Sequence, residues 1–368
     1  MPKNNQIFTD EKNILIAAQD NCHSKENDPV KNIILMFPGQ GSQYIGMGLD
    51  FLECNKDYYK YIHDASRIFG EDLLSILKNE NGKGNLIDKT EYSQILIYTI
   101  SSVFNDYIFN NCKLPSIKLF AATGHSLGDY SALYSCGAFD FEIGAELVSY
   151  RGKLMASVSG SRQDNSIIMQ DKVIRNESKE MQMAAIIGSD IETISDVLDN
   201  YKGSVFIANY NDYSQIVISG YLKDVLKASE EIKNRGAKKV LPLKVSVASH
   251  CPLMQPVSEV LGKFIDNDLP VFKKLNMDFF SSTEVLKINS NQIRNTLVNQ
   301  LTHPVKWVDT IENLLLPEID TFIEIGPGKT LSGLVKRIAI KMGREDLNIL
   351  CTDTPSDMDN LKQYLSSL

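Results

Sequence analysis

Apolar and polar positions fall into blocks that mark out the elements of this chain. Residues 1–30 are polar and carry Asp10, Glu11, Asp20, Glu26 and Asp28. The apolar run Ile33-Ile34-Leu35-Met36-Phe37 then predicts a strand. Helices follow to about residue 109, including the apolar-rich stretch 93–109. A short apolar stretch, 117–122, predicts a second strand, and a glycine-flanked turn leads from it into a helix. The next helix covers 143–155 and ends near residue 157. From 160 to 180 the chain is polar and without periodicity, which reads as a mobile surface loop. After it the blocks predict a strand at 183–188, a helix, strands at 205–209 and 215–219, a helix to Arg235, and a strand at 239–247. That β-α-β-β-α-β order is the ferredoxin-like pattern.

The chemistry concentrates at Gly124-His125-Ser126-Leu127-Gly128, between the second strand and its helix. A strand, a glycine-flanked serine and a helix make a nucleophile elbow. Such a turn thrusts the Ser126 hydroxyl out of the fold. It also aims the first N–H groups of the helix at a developing negative charge. A second glycine-rich turn, Phe37-Pro38-Gly39-Gln40-Gly41-Ser42-Gln43, leaves the first strand and offers Gln40 as an amide donor. It lacks the Gly-Lys-Ser/Thr of a phosphate loop and the glycine spacing of a dinucleotide fingerprint.

A serine nucleophile needs a base, and the chain has five histidines. His23 and His63 lie in polar stretches, His303 adjoins a proline, and His125 is fixed beside the serine with its side chain directed away. His250, in Val245-Ser246-Val247-Ala248-Ser249-His250-Cys251-Pro252, is the best candidate by elimination.

Together with Arg151-Gly152-Lys153-Leu154-Met155 and Glu324-Ile325-Gly326-Pro327-Gly328, these motifs occur in an order that resembles one family. It is that of the malonyl-CoA:acyl-carrier-protein transacylases of fatty acid synthesis and the related acyltransferases of polyketide synthases. The resemblance runs from about residue 31 to about 337. It implies an acylated Ser126, with His250 as its base and Gln40 and the Leu127 N–H as the oxyanion hole. It also implies that Arg151 pairs with the free carboxylate of a malonyl group, and that the backbone carbonyl of Gln300 orients the histidine in a dyad without a carboxylate. Asn209, Asn211, Met155 and His125 are implied to bind substrate.

The implied architecture is α/β. An α/β-hydrolase-like large lobe with a parallel sheet (31–158 and 249–368) carries an inserted ferredoxin-like small lobe (183–248), with a polar loop at 159–182 and an extension at 1–30. The implied reaction moves malonyl from malonyl-CoA, a substrate, to the phosphopantetheine thiol of holo acyl carrier protein, with no bound cofactor. Neighbouring readings are a trans-acting polyketide synthase acyltransferase, using malonyl or methylmalonyl, and a proofreading acyl hydrolase. Arg151 argues against the hydrolase.

Composition narrows the partners. A net charge of −8 and pI near 5.3 argue against nucleic acid. No apolar run reaches the roughly 18–20 residues of a membrane span. Residues 1–30 lack the apolar core of a signal peptide. The six cysteines show no C-x-x-C pairing and no metal spacing. These features lead us to expect a cytoplasmic monomer with reduced thiols and no metal.

Overall fold

A computed structural model describes residues 31–112, 117–158, 168–169, 172–173, 180–245 and 247–368. The extension 1–30 lies outside the described residues. So does most of the 160–180 stretch.

Thirteen strands are described. They are β1 (Lys31–Phe37), β2 (Ile117–Gly124), β3 (Ile168–Met169), β4 (Lys172–Val173), β5 (Met181–Ile187), β6 (Val205–Asp212) and β7 (Gln215–Tyr221). After these come β8 (Lys239–Pro242), β9 (Asp278–Ser281), β10 (Leu286–Ile288), β11 (Val305–Lys306), β12 (Ile319–Glu324) and β13 (Asn348–Cys351). A six-stranded sheet has the order β10-β9-β2-β1-β12-β13 and is parallel except for the β9–β10 hairpin. Parallel strands joined by helices are covered on both faces. β1 shows this directly. Ile33, Leu35 and Phe37 pack into one apolar cluster with the helices Thr90–Asn111 and Phe141–Ser157. Ile34 and Met36 pack into the opposite one with Trp307, Phe322 and Val335. Both β1 and β2 end at the glycine-rich turns, so the two loops that carry the candidate chemistry leave neighbouring parallel strands at the same C-terminal end.

A second sheet has the order β11-β6-β7-β5-β8. Its neighbours pair antiparallel from β6 to β8, and the helices Ile191–Leu198 and Leu222–Asn234 bury one face of it. Four details differ from the expectations. The strand expected from residue 183 starts at Met181. The strand expected to reach 247 stops at Pro242, at the sheet edge where a residue without an N–H is tolerated. And β11, from far along the chain, joins this sheet by pairing parallel with β6, Val305 opposite Asn209. The stretch expected to be a loop at 160–180 contains a short antiparallel ribbon, β3 with β4.

Candidate active site

The turn after β2 places Ser126 in the left-handed region at φ 55, a conformation that costs a side chain about 1–3 kcal/mol. Four non-glycine residues have positive φ among the described residues. Two of them are Ser126 and His250, the latter at φ 61, so backbone strain gathers where the chemistry is expected. The flanking glycines are forced by proximity. A Cβ on Gly128 would lie 1.9 Å from the Phe37 carbonyl oxygen, and one on Gly124 would lie 2.0 Å from the Gly128 carbonyl carbon. Both obstacles are backbone, which cannot move aside. The helix Gly128–Ser135 can therefore start directly against the end of β1.

Ser126 Oγ lies 2.7 Å from His250 Nε2, and His250 Nδ1 lies 2.8 Å from the Gln300 carbonyl oxygen. A carbonyl only accepts, so Nδ1 carries the proton and donates it. Nε2 is then left as the acceptor for the serine hydroxyl. The imidazole is in the tautomer a general base needs, and a backbone oxygen sets it in place of a carboxylate. Burial first, and the charge of Arg151 second, push the His250 pKa down to about 3. The ring is neutral near pH 7.

Arg151 comes from the helix Phe141–Ser157 and is almost fully buried. Its Nη1 donates to Gln94 Oε1, and Nη2 donates to Gln300 Oε1 at 3.2 Å and reaches Ser126 Oγ at 3.4 Å. Its Nε–H is buried and has no partner among the described residues. One glutamine oxygen thus holds Nη1 and the other Nη2, which also reaches the serine. The edge that Nη2 shares with the unpartnered Nε is a fork whose two donors suit the two oxygens of a carboxylate. Burial pulls the arginine pKa down from its ordinary value, and the ring of Tyr130 lies 5.3 Å from its central carbon.

The backbone N–H groups of Leu127 and Gln40 take no acceptor among the described residues. Leu127 buries its side chain in the core and is the N-cap of the helix Gly128–Ser135, where N–H groups have no partner within the helix. From the second sheet, Asn211 Oδ1 lies 2.9 Å from His125 Nε2, and Asn209 Nδ2 lies 3.4 Å from the same nitrogen. The shorter contact assigns the Nε2 proton toward Asn211. Both asparagines therefore reach the elbow, but through His125 rather than Ser126. Met155 is buried behind the arginine, where its sulfur accepts from Gln94 Nε2 at 3.2 Å.

Four contributors escape the sequence reading. The Gln300 side chain donates to the Ser126 carbonyl oxygen at 2.8 Å and to Asp129 Oδ2 at 2.5 Å, in addition to the backbone role expected of the residue. Asp129 is wholly buried, and that burial pushes its carboxyl well above the usual range. Gln94 and Thr90 support the arginine from the helix Thr90–Asn111. The available signal was a polar residue facing inward from an apolar helix, Gln94 beside Ile95, Leu96 and Ile97. Among the described residues, no group of three or more His, Cys, Asp or Glu could hold a metal, and no helix is long and apolar enough to cross a membrane.

The model of the acyl transferase domain family matches residues 34–350. A malonyl CoA-acyl carrier protein transacylase of Haemophilus influenzae is 34% identical over 342 residues, 91% of this chain and 100% of that protein. The enzyme of the same name from Bacillus subtilis is 35% identical over 324 residues, covering 84% of this chain and 91% of its own. Among solved structures, the malonyl CoA-acyl carrier protein transacylase of Coxiella burnetii superposes with a TM-score of 0.79 at 30% identity, covering 92% of this chain and 99% of the other. A malonyl-transacylase in complex with its type II polyketide synthase acyl-carrier protein superposes with a TM-score of 0.78 at 29% identity, covering 91% and 100%.

Proposed function

This chain belongs to the acyl transferase domain family, and from that premise we propose that it transfers a malonyl group from coenzyme A to the phosphopantetheine thiol of an acyl carrier protein, supplying fatty acid synthesis. The observation that carries the reading is the carboxylate fork of Arg151 set beside the Ser126–His250 pair. A hydrolase for plain acyl groups has no use for a buried guanidinium pointed at its nucleophile.

The proposed reaction has two balanced halves. The malonyl carboxylate docks on Nε and Nη2 of Arg151, which places the thioester carbonyl over Ser126. The serine oxygen attacks, its proton passes to His250 Nε2, and the Gln40 side-chain amide and the Leu127 N–H hold the oxyanion. The carbon–sulfur bond breaks, the proton goes to the leaving CoA sulfur, and a malonyl ester remains on Ser126. The carrier thiol then gives its proton to His250 and its sulfur attacks the ester carbonyl; the ester carbon–oxygen bond breaks, the proton returns from His250 to Ser126 Oγ, and malonyl leaves as the carrier thioester. Burial is the main reason the His250 pKa is low, and pairing the guanidinium with a carboxylate cancels the second, the positive charge of Arg151. A malonyl donor thus makes the base stronger at the moment it is needed.

The finer architecture belongs to the same proposal. We read the six-stranded sheet and its helices (31–158 and 249–368) as the α/β-hydrolase-like lobe, and 183–248 as the ferredoxin-like lobe. The antiparallel order β8-β5-β7-β6 supports the latter. His125, Asn209, Asn211 and Met155 would shape the acyl site between them. The test is intact-mass measurement after mixing with malonyl-CoA. One malonyl mass should appear, vanish on addition of holo carrier protein, and never form in Ser126→Ala. A label that persists in Ser126→Ala sinks the assignment.

A further inference from the structure

A chain of side-chain hydrogen bonds leaves Arg151 in the direction opposite to the substrate fork. Arg151 Nη1 donates to Gln94 Oε1. Gln94 Nε2 donates to Thr90 Oγ1 at 2.8 Å, and Thr90 Oγ1 donates to Gln40 Oε1 at 3.1 Å. Gln94, Thr90 and Arg151 are each no more than 3% exposed. The direction of every link is dictated. A guanidinium has no acceptor, so Gln94 must offer it the oxygen, which leaves its amide nitrogen facing Thr90. Thr90 has one proton, and with its oxygen accepting from Gln94 that proton goes to Gln40. The Gln40 oxygen is therefore occupied, and its Nε2 is buried without a partner among the described residues. The loop that carries Gln40 lies against the elbow, because a Cβ on Gly39 would stand 2.2 Å from the His125 carbonyl oxygen.

We propose that Thr90 and Gln94 are positioning residues that couple the carboxylate-reading arginine to the Gln40 loop. They fix the Gln40 amide with its donor end toward the reacting acyl group and its oxygen away from it. A flipped amide would set a lone pair beside an oxyanion. Bonds in such a chain polarise one another, so a carboxylate held at one end changes the donor strength at the other. The carboxylate is then read in the rate of acyl transfer as well as in binding. This inference rests on Arg151 receiving the acyl carboxylate.

The test is a double-mutant cycle between Thr90→Val and Arg151→Ala, read as single-turnover malonyl loading by intact mass. Thr90→Val keeps the shape and removes the relay. It should lower the maximal loading rate about tenfold, with the half-saturating malonyl-CoA concentration changed by less than about threefold, as expected for one broken buried hydrogen bond felt in the transition state. Thr90→Ser should restore most of the rate. In the Arg151→Ala background, Thr90→Val should cost less than about twofold, because the coupled end is already gone. Gln94→Met gives the same reading by an independent variant should Thr90→Val fold poorly. Additive losses, an effect confined to half-saturation, or no rescue by serine would overturn the coupling. Absence of any malonyl adduct on the unaltered protein would instead overturn the proposed function.

Discussion

Arg151→Ala separates recognition of the substrate from support of the fold. The side chain supplies a buried fork, one edge of which has an unpaired Nε–H, and it is braced by Gln94 and Gln300. Its removal leaves the malonyl carboxylate buried without a partner. Losses of this kind cost about 2–5 kcal/mol. At 1.36 kcal/mol per factor of ten, kcat/KM for malonyl-CoA should fall between about 30-fold and about 5,000-fold. An acetyl donor gains nothing from the fork, and an unfilled guanidinium disfavours it. Its transfer should fall far less, or rise. Arg151→Lys keeps the charge but loses the two-pronged geometry, so it should fall between the two for malonyl. The assay is loading of Ser126 from malonyl-CoA and acetyl-CoA side by side, with a thermal melt of each variant. Equal losses for both donors in a folded variant would show that Arg151 braces Gln94 and Gln300 and reads no carboxylate.

Two further outcomes follow from the geometry. Gly128→Ala should fail to give a stable folded protein, or melt many degrees lower, because its Cβ would stand 1.9 Å from a backbone oxygen; a soluble variant with an unchanged melting temperature would contradict the packing described for the elbow. The low His250 pKa, about 3, predicts no acid limb near pH 6.5 in the rate of malonyl loading, and Arg151→Ala, by removing the nearby positive charge, should move that limb upward; a limb near 6.5 in the unaltered protein would mean the ring is far less buried than described. The same shift has a stability consequence. The folded protein keeps His250 neutral while the unfolded chain protonates near 6.5. Its contribution is thus complete above that pH and is lost as pH falls toward about 3, at a slope near 1.4 kcal/mol per pH unit that His250→Gln should lack in denaturant melts.

The elbow was readable because it lies in a short contiguous motif whose local geometry follows from its residue types, whereas His250 was reached by elimination among five histidines and Arg151 only through the resemblance of its motif. Glycines at 124 and 128 announce a close approach, and a five-residue apolar run announces a buried strand. The supports of the site were not readable in that way. The Gln300 side chain meets Ser126 and Asp129 from more than 170 positions away, and neither partner marks the other in sequence. Gln94 sits in a helix whose polar residues face a polar site through an otherwise apolar wall, so amphipathic spacing gives no sign of it. Strand ends failed for a related reason. Pairing with β5, and the leniency of a sheet edge toward Pro242, set where β8 stops.

The two-residue strand β11 follows five residues after Gln300. It pairs with β6 at Asn209, while the Lys306 N–H donates to the Ser282 carbonyl oxygen at 2.7 Å, just beyond β9 of the other sheet. One short segment therefore stitches both sheets together beside the histidine's anchor. This matters for anyone building chimaeric acyltransferases. A cassette cut at 183–248 would bring in a new β6 but leave the old β11 to pair with it, and a mismatch at that seam would reach the Gln300 carbonyl within a few residues. The unit to exchange is discontinuous: it is the small sheet together with residues 300–307.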